Sequence, residues 1–170
     1  MFGRTFTYRL ERRGPAAPEA MFDLIRDAEG WPRWAGPLIT YATWRDGKTG
    51  VGDDIVGRVR LMGTPRFQTP EQITVDDRPH VHAYRILTRW PVRDYHARVE
   101  FTPHDDGTTT VRWSGEYIER IPGTGWLWKR FLLRFLGDLA DNLLIAAAEP
   151  SSDSEQRDAG PGPGRTADHA

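Results

Sequence analysis

Polar and apolar side chains alternate from Phe6 to Arg12, the period of a strand with one face buried. Gly14-Pro15-Ala16-Ala17-Pro18 stops that pattern. Pro18 suits the first position of a helix, where its missing N–H would be unpaired anyway. Ala20, Phe22, Leu24, Ile25 and Ala28 then recur at helical spacing, which predicts a helix from Pro18 to Glu29 ended by Gly30-Trp31-Pro32. Six further strand-like runs follow, at residues 39–45, 54–62, 67–75, 82–88, 94–102 and 109–120. The segments between them (DGKTG, GTP, DDRP, RWPV and HDDG) have turn chemistry, so the strands are expected to form an antiparallel meander. Ile121-Pro-Gly-Thr-Gly125 leads into a long helix, residues 125–149, with Phe131, Leu132, Phe135, Leu136, Leu139, Leu143 and Ala146 on one face. One long helix and one sheet bury both apolar faces by wrapping, and such a wrap leaves room for a cavity. The expected class is α+β, a curved antiparallel sheet of about seven strands around a C-terminal helix.

The period of two assigns faces within each strand. Tyr95, Ala97, Val99 and Phe101 point inward together, as do Val111, Trp113, Gly115 and Tyr117. Tyr84 and Ile86 face in, with His82 sharing their parity. Ile73 and Val75 face in on the fourth strand, with Glu71 at the same parity. Ile55, Val59 and Leu61 are the inward candidates on the third, and Gly57 on that face leaves room for a ligand or marks a bulge. The expected inner wall is aromatic. Its tyrosines need hydrogen-bond partners when buried, which tilts the reading from plain core toward a cavity holding water or a polar ligand atom.

Composition narrows the choices. A chain of 170 residues suits one domain, read here as residues 1–149, followed by a polar, Pro/Gly-rich tail at 150–170 that cannot bury enough surface to fold. With 23 Lys+Arg against 24 Asp+Glu there is no basic surplus for an obligate nucleic-acid binder. Cysteine is absent, which excludes disulfides and thiolate metal sites and fits a cytoplasmic protein, the expected location. No cofactor motif is present: neither a GxxxxGK[ST] loop nor a GxGxxG turn. His80-Val81-His82 lacks a third ligand nearby, so no metal site is expected.

The order strand, short helix, six strands, long helix resembles the START-like superfamily, which includes polyketide cyclases, aromatases and lipid-transfer proteins. The resemblance spans residues 5–149. It is carried by Asp27-Ala-Glu-Gly-Trp31-Pro-Arg-Trp34, Gly50-Val-Gly52, Tyr84-Arg-Ile86, Pro91-Val-Arg-Asp-Tyr95 and Gly107-Thr-Thr-Thr-Val-Arg-Trp113. It implies a helix-grip fold with a deep, mainly apolar pocket. The expected ligand contacts are Ile55, Glu71, Ile73, Tyr84, Ile86, Tyr95, Phe101, Trp113 and Tyr117 from the sheet and Phe135 and Leu139 from the helix. Trp34 is expected at the mouth, and Arg93 is the cation chosen for ligand polarity.

Three functions stay open on the residues alone. A carrier of a hydrophobic, lipid-like or polyketide-like molecule needs only the pocket and is the reading taken. A cyclase or aromatase needs a placed acid, base and cation, for which Glu71, His82, Arg85, Arg93 and Glu116 are the candidates, although Arg85 and Glu116 face outward by parity. An interaction module needs no cavity. Trp126 and Trp128 beside Lys129 and Arg130 suit transient contact with a membrane surface. Oligomeric state is not legible.

Overall fold

A computed structural model describes residues 3–48, 54–88 and 91–149. The elements run β1 (Thr5–Gly14), α1 (Pro18–Arg26), a 3-10 segment (Ala28–Arg33), β2 (Tyr41–Trp44), β3 (Val59–Gly63), β4 (Gln68–Asp77), β5 (Val81–Ile86), β6 (Val92–Pro103), β7 (Thr109–Glu119) and α2 (Gly125–Ala148). Seven strands form one antiparallel sheet in the order β1-β7-β6-β5-β4-β3-β2, so β1 crosses over to close against β7 while the others meander. The result is a helix-grip fold, a curved sheet around the C-terminal helix.

Alternation holds on the two longest central strands. Tyr95, Ala97, Val99 and Phe101 are all buried, as are Val111, Trp113 and Tyr117 across the ladder. They pack on Leu136, Leu139, Ala140 and Leu143 of α2. Burial of this set removes the largest apolar surface from water and is the main force holding helix to sheet. Gly125 starts α2 where a Cβ would collide with the Phe6 ring. The helix has no side-chain N-cap of its own. Buried Glu119 substitutes, its Oε2 accepting from the Gly125 N–H at 3.2 Å and the Gly123 N–H at 2.9 Å. A carboxylate there also offsets the mild cost of Lys129 and Arg130 near a helix N-terminus.

The structure departs from the expected boundaries in three places. The first helix ends at Arg26, not Glu29, and residues 28–33 tighten into the 3-10 segment that carries Trp31 inward. β3 begins at Val59, not at residue 54, because Gly57 turns the chain at φ 86°. That turn resets the phase: Arg60 and Met62 are buried, and Val59 and Leu61 take the other face. On β4 a bulge between Ile73 and Val75 inserts one residue. Val75 therefore pairs with Ala83 and lines the outer face, and Asp76 moves opposite inward His82. Gly50-Val-Gly52 and the 150–170 tail lie outside the described residues, as do positions 89 and 90 of the RWPV turn.

Candidate functional site

Between the sheet and the first half of α2 lies a cavity of about 210 Å³. Trp31 closes one end; Met62, Glu71, Tyr84, Tyr95 and Trp113 come from the sheet; Trp128, Phe131, Phe135 and Leu139 come from α2. Leu38, Pro91 and Phe131 stand at its edge, and Leu38 and Phe131 are exposed there. A larger open groove of about 840 Å³ runs over the outer face of the sheet past Arg9, Arg98 and Lys129. Apolar walls, concavity and convergent polar groups are what small-molecule sites share, and they single out the smaller and less open cavity.

Of the residues expected to touch ligand, Glu71, Tyr84, Ile86, Tyr95, Trp113, Phe135 and Leu139 line this cavity together. The other six lie elsewhere. Trp34 packs on Trp31 with ring centroids 4.6 Å apart. Ile55 and Ile73 are fully enclosed in the core. Phe101 meets Phe22 edge-on. Tyr117 stacks on Phe6 and Tyr95 and donates its hydroxyl to the Gly125 carbonyl at 2.6 Å, tying the sheet to the start of α2. Arg93 precedes the β6 bulge and lies on the face opposite Val92, opposite Ile118 of β7. The cavity is lined by Val92 and Tyr95 on either side of it.

The cation near the cavity is instead Arg60. It is completely buried, and its Nε donates to Glu71 Oε2 at 2.9 Å. Its Nη1 donates to the Ile25 carbonyl at 2.9 Å at the end of α1. The guanidinium lies over the rings of Trp31 at 4.7 Å and Tyr84 at 5.0 Å. Two aromatic faces, a carbonyl and a carboxylate replace most of its water, and Nη2 is left buried with no hydrogen bond among the described residues. Sequence parity hid this residue, but its partner was visible: an inward carboxylate requires a cation, and the tight β3–β4 turn places Arg60 directly across from Glu71.

Burial pushes the Glu71 carboxyl up from its ordinary value, and the charge and hydrogen bond of Arg60 oppose that rise without cancelling it. Burial also holds the Tyr84 and Tyr95 phenols well above the usual range, with the Glu71 charge adding to the effect on both. Tyr95 shares a hydrogen bond with the Tyr8 hydroxyl behind it. His82 is fully buried but does not reach the cavity; it bonds Asp76 and meets the Phe22 ring edge-on. Burial lowers its pKa to about 4, with Asp76 opposing. Among the described residues no group of three or more His, Asp or Glu is arranged to hold a metal ion.

The signature of the polyketide cyclase/dehydrase and lipid transport family matches residues 5–144. The chain belongs to that family. No curated protein matches it in sequence. Solved structures of family-like shape include a START superfamily protein from Mycobacterium smegmatis, at 13% identity and TM-score 0.64, covering 83% of this chain and 96% of that one. Truncated norcoclaurine synthase from Thalictrum flavum aligns at 15% identity and TM-score 0.69, over 89% and 98% of the two chains. The XoxI protein of Bacillus cereus aligns at 20% identity and TM-score 0.67, over 83% and 94%. At these identities the likeness is one of fold. Family membership and the helix-grip architecture are consistent with hydrophobic ligand binding.

On the membrane-contact residues the picture is divided. Trp126 is 61% exposed and stands with exposed Ile121, Leu127 and Arg130. Trp128 turns the other way, into the cavity lining, and Lys129 borders the outer groove. Among the described residues no helix is long and apolar enough to cross a membrane.

Proposed function

We propose that this protein binds a hydrophobic small molecule, lipid-like or polyketide-like, between the sheet and α2, and serves as a carrier or binding protein. The observation that carries this reading is the cavity itself, open at the edge formed by Leu38 and Phe131, walled by seven aromatic side chains and containing one ion-paired carboxylate. A core built only for stability would fill that volume, because each unfilled cubic ångström of cavity costs stability. The test is native mass spectrometry of protein purified from its own host. The expected result is a one-to-one small-molecule adduct that disappears on denaturation and is missing from Leu139→Trp, which fills the cavity. An unliganded wild type that also takes up no added naphthalene would overturn the reading.

A second reading, ring closure or dehydration in the same cavity, is favoured by the raised pKa of Glu71. A carboxyl shifted toward neutrality is suited to accept and return a proton at a ligand carbon, with the Tyr84 and Tyr95 hydroxyls able to donate to a carbonyl oxygen. A structural neighbour that is named a synthase shares the fold. Glu71→Gln that still binds its ligand but no longer converts it would support this reading over simple carriage. The exposed Ile121, Trp126, Leu127 and Arg130 cluster suits loading from an anionic membrane surface, with the apolar side chains entering the interface and the cation pairing with headgroups.

A further inference from the structure

Among the nineteen residues lining the cavity, Glu71 is the one acidic or basic side chain; no Lys, Arg or His joins it. Its Oε2 is taken by Arg60 Nε at 2.9 Å, and Oε1 has no hydrogen bond among the described residues. Arg60 stands behind the wall, outside the lining: Nε holds Glu71, Nη1 holds the Ile25 carbonyl, two rings flank the guanidinium, and Nη2 is buried with no hydrogen bond among the described residues. Protonating Glu71 would leave that guanidinium buried and unpaired, so the ionised pair is the favoured state. A ligand in the cavity therefore meets one acceptor oxygen belonging to a pair whose net charge is zero.

We infer that the cavity selects a neutral, compact aromatic ligand bearing a hydroxyl donor, with that hydroxyl placed on Glu71 Oε1. This rests on the binding reading above and sharpens it. A carboxylic or phosphoric acid head is rejected, because it would bring a second negative charge beside Glu71 with no cation among the lining residues to receive it. An ammonium is disfavoured for the opposite reason: Arg60 already neutralises Glu71, and a second cation would leave the site with a buried positive charge. A neutral O–H satisfies Oε1 and leaves the balance untouched. Thr69, Tyr84 and Tyr95 also line the cavity, but their hydroxyls both donate and accept and so do not discriminate. Size points the same way. An apolar cavity of about 150 Å³ takes benzene, so about 210 Å³ accommodates one or two fused rings within its walls. The walls, with Trp31, Trp113, Tyr84 and Tyr95 around the carboxylate, offer ring faces and edges to such a ligand.

Three ten-carbon ring probes of nearly one shape test this: naphthalene, 2-naphthol and 2-naphthoate, titrated into the full chain at pH 8 by calorimetry. A hydrogen bond to a charged acceptor predicts 2-naphthol binding about tenfold or more tighter than naphthalene. Naphthoate should bind at least about 100-fold more weakly than naphthol. In Glu71→Gln the order should invert, because Arg60 becomes an unpaired cation: naphthol falls toward naphthalene and naphthoate gains. Equal affinity for naphthol and naphthalene in the wild type would overturn the inference and leave the binding reading standing. Failure of all three probes to bind would remove the binding reading and this inference with it. The wild-type series decides the matter even if Glu71→Gln does not fold.

Discussion

Replacing Arg60 by Met keeps the apolar stem of the side chain and deletes the buried guanidinium with its charge. The Ile25 carbonyl that loses Arg60 Nη1 keeps the Trp31 Nε1 donor at 2.9 Å, so it is not orphaned. Glu71 is left buried with no counter-ion, and this is where the cost falls. Removing one partner of a buried ion pair costs about 3–5 kcal/mol, whereas replacing both by apolar groups is neutral or stabilising by about 1–4 kcal/mol. Arg60→Met should therefore be less stable by about 3–5 kcal/mol at pH 8, and Arg60→Met/Glu71→Leu should recover wild-type stability or exceed it. The pH dependence has a definite sign. Glu71 in the folded variant loses the one influence that lowered its pKa, so its value rises further above the unfolded value near 4.5. A carboxyl raised in this way destabilises the fold only as pH climbs through that interval, so the deficit of Arg60→Met should shrink between pH 8 and pH 5. Because the Arg60 charge also lowers the His82 pKa, the comparison is made in a His82→Phe background, which removes that contribution from both proteins. Urea denaturation followed by circular dichroism, with unchanged m-values, measures each of these stabilities. A deficit of the same size at both pH values, or a double variant no better than the single, would show that Arg60 acts through packing and not through Glu71.

Trp113, fully buried between Trp31 and the inner sheet, should cost about 3–5 kcal/mol when cut to Ala if its ring is packed core. A variant close to wild type in urea but unable to bind naphthalene would make that ring chiefly a cavity wall. His82 titrates near pH 4 when folded and near 6.5 when unfolded, so the stability it contributes is present above pH 6.5 and is lost as pH falls toward 4, by about 3 kcal/mol. His82→Phe should flatten that stretch of the denaturation profile, and an unaltered slope would place the acid sensitivity elsewhere. Trp126→Ser with Arg130→Glu should abolish co-flotation with vesicles of anionic phospholipid, and unchanged flotation would dispose of the membrane-surface proposal.

Fold and site were not equally legible in the sequence, for reasons local to particular residues. β6 and β7 are long, strongly alternating and central, so a single parity assignment carried Tyr95, Ala97, Val99, Val111, Trp113 and Tyr117 to the correct face. β3 is short, and Val59-Arg60-Leu61-Met62 offers apolar residues at both parities. The turn at Gly57 decided the phase, and period-two reasoning has no means of weighing a turn that precedes the strand. Val75 was misplaced because a bulge adds a residue without altering composition. Which inward aromatics bound the cavity and which fill the core was equally hidden. Tyr95, Phe101 and Tyr117 share one character in sequence, but only Tyr95 faces the gap left by α2, while Phe101 is covered by Phe22 and Tyr117 by Phe6. That distinction depends on where the helices lie, a tertiary fact.

The most direct test of the central claim is a crystal structure of the protein grown with naphthalene. The account predicts electron density for the ring system among Trp113, Glu71 and Leu139, with α2 in place. A cavity that stays empty while the ring binds at the exposed Trp126 surface, or nowhere, would contradict it.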